Sequence, residues 1–592
     1  MVSEHAAYTS EPLRPAKSVL AASRILGRRR LWRLLRLSFC AAILLGFAMS
    51  PATVHVSRAG SAGAGTSTPV KHLVVIFQEN ESFDHYFGTY PGAANPSGEP
   101  PFTSRRDTPS VNGLTANLIA NNPNLDSPFR VGRLQSLSCF ENGRYQDEQA
   151  AVDGGRMDKF VQQFKFTSGE LARSNRAFCP TDAAGNHYAT MGYVDGNTVT
   201  ALWNYAQNFA MSDNFYNTTY GPSTLGAINL VAATTGAVIC GPSAGVFGTV
   251  PVCAANGTPP FGNTSMPAPT NGQRATLVVD EDPLWDICSR EDGRLVAMAS
   301  PNIGDALTNA GVTWGWFEGG FGDCSAAHPP VAFDLATSVD PATDPFTKND
   351  YTPHHQPFQF YASTANPQHL PPSSVAMIGG SDQANHQYDL SSFWQALDAG
   401  NLPAVSFLKA PTYQDSHAGY SDPLDEQQFL VATINRLQQS NAWSSTAVVI
   451  TYDDSNGYYD HVVPPIVNRS ATSLDRGCGS ASDNPPARCG YGQRLPFLII
   501  SPFSRRNYIG HTALDQTSIT RFIEDNWLRG SRLGTTTFDR IAGSMADLMD
   551  FAGPPAPSLL LDPDSGQPVA SATTPPAVMQ DQNTSAPAEK PA

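Results

Sequence analysis

Two apolar runs far apart in this chain each end in side chains that carry oxygen. Leu73 to Phe77 leads into Glu79 and Asn80, and Thr446 to Tyr452 leads into Asp453 and Asp454. Brought together, three carboxylates and one amide would make an all-oxygen cage, the donor set that hard divalent cations take. Adjacent carboxylates repel, so burying them together needs a cation. The expectation is one divalent metal ion held by Glu79, Asn80, Asp453 and Asp454. Oxygen donors favour calcium, magnesium or manganese, and zinc also binds carboxylates. The competing reading of each pair is an exposed acidic turn.

A hydroxyl follows in Tyr220-Gly-Pro-Ser-Thr224. Pro222 fixes the backbone before Ser223, and the apolar spacing after it predicts a helix start. Free amide groups and the helix dipole at such a start favour a phosphate. A metal at the same place would lower the pKa of the hydroxyl and make it a nucleophile. A plain capping serine is the alternative, and Thr224 is the neighbouring rival. Two loops add histidines: His354 and His355 in 350–358, and His417 in 409–422. An imidazole can bind a transferring phosphoryl group or protonate a leaving oxygen near neutral pH. His187 and His461 are weaker candidates of the same kind.

These residues need a scaffold that carries strand tips to one place, which an open α/β sheet does at the C-terminal ends of its parallel strands. A further strand is expected over 495–501. A helix is expected near 517–524, with Thr517 or Ser518 as N-cap. Gly/Pro/Asn-rich stretches at 91–130 and 254–275 read as loop insertions. Residues 71–552 read as one catalytic unit, because the candidate strands lie near both ends. Residues 53–70 read as a linker, and 553–592, rich in Pro, Ala and Ser, as a disordered tail or tether.

Residues 1–52 hold a cluster of arginines from Arg24 to Arg36, then the apolar run Leu37 to Met49. That order predicts an export signal, and Arg28-Arg-Arg-Leu-Trp32 permits a twin-arginine one. The apolar run is short for a membrane span, and an uncleaved N-terminal anchor is the alternative. Cleavage is expected between Ala48 and Ala64. Eight cysteines lie beyond the signal, an even number that suggests disulfides in an exported protein. Spacing favours Cys240–Cys253 and Cys478–Cys489, then Cys288–Cys324 and Cys139–Cys179. The 592 residues carry a net charge of -15, which argues against nucleic-acid binding through a basic surface.

In order along the chain, seven segments resemble the phosphoesterase family that joins bacterial phospholipases C with respiratory-burst-inhibiting acid phosphatases. They are Gln78 to Gly88, Tyr220 to Thr224, Gly311 to Glu318, Pro353 to Phe358, His417 to Pro423, Thr451 to Ser455 with Tyr459 to His461, and Thr517 to Ile519 with Phe522 to Glu524. The resemblance implies an alkaline-phosphatase-like α/β fold, a three-layer sandwich about a mostly parallel sheet. It also implies the metal set above and Ser223 as nucleophile through a phosphoseryl intermediate. His355 and His417 would contact the phosphoryl group or assist the leaving group, with His354 in support. Substrates would be phosphate monoesters or phospholipids, with contact to a membrane surface in the second case.

The paired acids and Gly419-Tyr-Ser-Asp-Pro423 lie closer to the acid phosphatase branch. Two positions depart from the family pattern. Gly143 stands where the family carries a histidine, with Arg144 beside it as a substitute phosphate contact. Leu225-Gly226 replaces a Pro-Asn pair, a change expected to alter the pocket lining. A catalytically dead surface-binding homologue is the competing reading. A sulfatase-type enzyme is not expected, because the Cys/Ser-x-Pro-x-Arg context is missing from the sequence.

Overall fold

Leu73, Val74, Val75, Ile76 and Phe77 are all fully buried, which explains why their strand is apolar without alternation. This strand, β1 (His72–Gln78), lies near the middle of an eight-stranded sheet in a computed structural model that describes residues 65–135, 143–164, 189–239, 242–245, 248–251, 275–290, 295–329, 347–468, 478 and 489–569. The other strands are β2 (Ala210–Ser212), β3 (Trp314–Glu318), β4 (Gln387–Asp389), β5 (Val405–Lys409), β6 (Thr446–Tyr452), β7 (Phe497–Ile500) and β8 (Tyr508–Gly510). Their order is β4-β3-β5-β1-β6-β7-β2-β8. β7 is antiparallel to both neighbours, and every other pairing is parallel.

The pleat sends alternate residues of β1 into two cores. Leu73, Val75 and Phe77 join one core and Val74 and Ile76 the other. On the first face pack α2 (Tyr145–Val152), α4 (Ser223–Ala232), α5 (Ile303–Asn309) and α8 (Gln516–Trp527). On the second pack α1 (Phe83–Phe87), α3 (Thr200–Asn208), α6 (Leu390–Asp398) and α7 (Pro423–Gln438). The molecule is therefore a three-layer α/β sandwich with a mostly parallel sheet, as expected from the sequence.

Several boundaries differ from the sequence reading. α8 begins earlier, with Asp515 as N-cap and Ser518 completing a capping box from the third helical position. Within 65–70, Val70 is buried and Thr68 N donates to Asn526 Oδ1 at 2.9 Å. Residues 553–569, expected to be part of a disordered tail, lie along α7 instead. Asn435 donates to the Leu561 carbonyl at 2.7 Å and Gln438 to that of Leu559 at 2.7 Å, while Leu561 and Ala556 are buried in the second core. The tail that remains, 570–592, the signal segment and the loop 254–274 lie outside the described residues.

Disulfides join Cys288 to Cys324 and Cys478 to Cys489. The expected pairs Cys240–Cys253 and Cys139–Cys179 fall outside the described residues. No helix among the described residues is long and apolar enough to cross a membrane.

Candidate active site

The register of β1 with β6 pairs Gln78 with Tyr452, so the residues that follow each strand emerge side by side. Asp453 N donates to the Gln78 carbonyl at 3.1 Å. Glu79, Asn80, Asp453 and Asp454 thus meet at the C-terminal ends of two adjacent parallel strands, and all four are buried. Asn80 adopts a left-handed backbone (φ 72°), which asparagine tolerates better than most residues and which turns its amide toward the acids.

Ser223 reaches the same point from the other direction. It is the first residue of α4, after Pro222 and after Gly221, whose φ of +116° favours glycine. Its Oγ lies 3.0 Å from Glu79 Oε2, 3.0 Å from Asp454 Oδ2 and 3.3 Å from Asn80 Oδ1. The rival hydroxyl of Thr224 points elsewhere, donating to Asp280 Oδ1 at 2.8 Å.

Two further positions hold this arrangement. The carboxylate of Glu148 accepts from Gly221 N at 2.7 Å and from Ser455 Oγ at 2.9 Å, tying the turn before the nucleophile candidate to the tip of β6. Burial pushes Glu148 up to about 8, against the lowering effect of those two hydrogen bonds. Gly226, one turn into α4, lies against the backbone of Asp453: a Cβ there would sit 2.0 Å from the Asp453 carbonyl oxygen. Gly226→Ala must push the helix off the strand tip. The expected result is a loss of about 2–3 kcal/mol in denaturant unfolding, with activity falling further than the residual folded fraction explains. Neither Leu225 nor Gly226 lines the cavity, contrary to the expectation from the sequence; Leu225 is core and Gly226 is a packing contact.

The charges at the strand tips are unbalanced. Burial and then the neighbouring Asp453 push Glu79 well above the usual carboxylate range. Burial, Asp453 and Glu148 do the same to Asp454. The Lys409 ammonium, at the tip of β5, is fully buried against Glu79 Oε1 and lies 3.6 Å from Asp453 Oδ2. Burial alone would lower its pKa, but Glu79 and Asp453 hold it raised. Asp415 adds another buried carboxylate, pushed up by burial, whose Oδ2 has no hydrogen-bond partner.

The Asn80 amide decides what this crowd can hold. Its inward atom is 2.8 Å from Asp453 Oδ1 and closer still to Glu79 Oε2, and its outward atom is 3.3 Å from His417 Nε2. His417 Nδ1 lies 2.7 Å from the Ala418 carbonyl, so Nδ1 carries the ring proton and Nε2 can only accept. Burial pushes this imidazole down to about 3, so it carries no second proton near neutral pH. The Asn80 nitrogen must then face His417, with Oδ1 inward against carboxylate oxygens. That is repulsive alone and favourable around a cation. The four residues expected from the sequence fit a divalent metal ion on this ground. His355 Nδ1, 3.1 Å from Glu79 Oε1, steadies the outer oxygen of that carboxylate.

His354 differs from its neighbours. Burial alone would lower its pKa, but Asp282, 3.3 Å from Nδ1, and the charge of Asp280 leave it raised. Burial and then Lys409 push His355 well down. His354, His355 and His417 all border one cavity of 1220 Å3, as do Ser223, Asn80 and Asp454. Gly143 and Arg144 also line it, and a Cβ at Gly143 would lie 3.2 Å from Asp454 Oδ1. The position where the resemblance places a histidine is therefore beside the strand tip.

His461 is not part of the cavity. Its Nδ1 is 2.6 Å from Asp84, in a buried network where Arg494 binds Asp84 at 3.1 Å and Asp460 at 3.0 Å. His187 lies outside the described residues. Lys409, Asp415 and Glu148 were not singled out from the sequence.

A family model described as phosphoesterase matches residues 70–528. A non-hemolytic phospholipase C of Pseudomonas aeruginosa is 22% identical over 524 residues, covering 85% of this chain and 60% of that protein. Phospholipase C A of Mycobacterium tuberculosis is 23% identical over 560 residues, covering 90% and 88%. The chain thus spans about three fifths of the Pseudomonas relative. A solved structure from Vibrio parahaemolyticus, a protein in the alkaline phosphatase superfamily, aligns at 10% identity over 56% of this chain and 60% of that chain. Its TM-score of 0.24 carries no argument, and the α/β class rests on the sheet itself.

Proposed function

The chain belongs to the phosphoesterase family, and from that premise we propose that it hydrolyses phosphoric esters with Ser223 as the nucleophile. The observation that carries the reading is a hydroxyl at the start of α4, 3.0 Å from two buried carboxylates and open to the cavity.

Glu79, Asn80, Asp453 and Asp454 would hold one divalent cation, which when bound stabilises negative charge and lowers the pKa of the hydroxyl. Ser223 Oγ attacks phosphorus in line with the ester oxygen. The Oγ–P bond forms, the P–O bond to the leaving group breaks, and the Ser223 proton passes to a carboxylate oxygen within 3.0 Å. His354, whose pKa Asp282 and Asp280 raise against the effect of burial, borders the cavity and would give a proton to the leaving oxygen. Water then cleaves the Oγ–P bond and regenerates the serine. His355 and His417 remain neutral and orient Glu79 and Asn80. Glu148 and Gly226 fix the attack angle by holding α4 against the strand tip.

Phospholipid diesters are the better-supported substrates, because the curated relatives are phospholipases C. The acid phosphatase reading rests on the paired acids and the Gly419-Tyr-Ser-Asp-Pro423 segment. A dead surface-binding homologue would have no need of a complete set of oxygen donors around a hydroxyl. The arginine-rich N-terminal segment and the two disulfides favour an exported protein, periplasmic or extracellular.

The test uses purified full-length chain with bis(p-nitrophenyl) phosphate, p-nitrophenyl phosphate and phosphatidylcholine vesicles. Turnover that a chelator abolishes and a divalent cation restores is expected. No turnover of any of the three with calcium, magnesium, manganese or zinc would sink the enzymatic reading.

A further inference from the structure

We propose that Asp280 makes this pocket discriminate against doubly charged phosphate monoesters in favour of singly charged diesters. The inference deepens the hydrolase reading above and rests on it.

A helix start beside a nucleophile ordinarily offers free amide donors and a positive dipole end to the incoming phosphate, and that preference grows with substrate charge. In α4 the offer at Thr224 is already taken. Asp280 Oδ1 accepts from Thr224 N at 3.0 Å and from Thr224 Oγ1 at 2.8 Å, one residue after Ser223. Asp280 also borders the cavity and is exposed, while Thr224 beneath it is fully buried. A fixed negative charge therefore stands on the wall that an entering phosphate meets.

The neighbouring acid is compensated. Asp282 lies 3.3 Å from His354 and 3.7 Å from Arg290. Among the described residues no lysine, arginine or histidine forms an ion pair with Asp280. Its charge is felt by His354, whose pKa it helps to raise. A monoester carries about two negative charges at pH 8 and a diester one, so the same wall repels the monoester about twice as strongly.

The competing role is purely structural, an acceptor that caps α4. Asparagine keeps that acceptor and removes only the charge. In Asp280→Asn, kcat/KM for p-nitrophenyl phosphate is expected to rise about three- to tenfold relative to that for bis(p-nitrophenyl) phosphate, at pH 8 and fixed cation concentration. Unfolding temperature is expected to stay unchanged.

Calorimetric binding of inorganic phosphate gives a second readout that needs no turnover, and Asp280→Asn is expected to bind it several-fold more tightly. An unchanged monoester-to-diester ratio, or phosphate affinity equal to that of the wild type, overturns the proposal while leaving Ser223 chemistry standing. Wild-type protein inert toward both esters and toward phosphatidylcholine vesicles would refute the hydrolase reading, and phosphate binding would still decide the role of Asp280.

Discussion

Alanine in place of Ser223 is expected to lower kcat on a phosphodiester by roughly a thousandfold or more, with little change in KM. No substitute hydroxyl is at hand, because that of Thr224 is directed to Asp280. The fold should survive. The Ser223 hydroxyl is directed to Glu79, Asn80 and Asp454 and not to a helix amide, so its loss leaves no orphaned donor in α4. Unfolding of the variant is expected to fall by no more than about 1–3 kcal/mol, the cost of one hydroxyl lost among buried acceptors. A serine that merely shaped the helix would give the reverse pattern, with weaker folding and retained turnover. Full activity in Ser223→Ala would show that another group attacks phosphorus.

Lys409→Met should have the largest effect on stability. The methionine fills nearly the same volume but leaves Glu79 and Asp453 facing each other without the buried ammonium. Removing one partner of a buried charge group costs about 3–5 kcal/mol, because the remaining charge stays desolvated and unpaired. The loss should be greatest in the presence of chelator and should shrink when a divalent cation is added, since the cation supplies positive charge at the same carboxylates. Equal destabilisation with and without cation would mean that the strand-tip acids do not bind it. Unchanged stability in chelator would mean that the acids are protonated and Lys409 is not their counterion.

Much of this centre could be read from the chain, and the parts that could not fail for identifiable reasons. β1 and β6 announced themselves because a strand buried on both faces has to be apolar, and because both stop at acids. Adjacency of the two tips followed from the sheet, and the register confirms it. Ser223 was legible from the Gly-Pro turn before it. Choosing it over Thr224 was not, since only the position of Asp280 on a distant loop separates the two hydroxyls.

Lys409 was invisible for another reason. A lysine ending an apolar strand is ordinarily solvated, and nothing local says that it is fully buried against Glu79. Glu148 looked like one acid on a short helix. Its meaning lies in two partners, Gly221 and Ser455, from elsewhere in the chain. The Leu225-Gly226 pair follows Ser223 in sequence, but helix rotation turns both residues away from the cavity, toward the core and β6. Composition misled at 553–569: a Pro/Ala-rich segment is ordered when glutamine and asparagine side chains of a neighbouring helix take up its backbone groups.

The central strand also sets a timetable. β1 is synthesised early, yet its partners in the sheet are β5 and β6, and the Glu79–Lys409 contact joins positions 330 residues apart. At elongation rates of about 5–20 residues per second, β1 waits roughly 20–75 s for both of them. Through that interval an unpaired Leu-Val-Val-Ile-Phe segment stands exposed on the nascent chain, a sequence well suited to self-association. The chain therefore needs a holdase or a rapid finish, and its reaction centre cannot exist on any ribosome-bound fragment that stops short of β6. A nonsense codon ahead of β6 would leave β1 without one of its two neighbours and without Asp453 and Asp454.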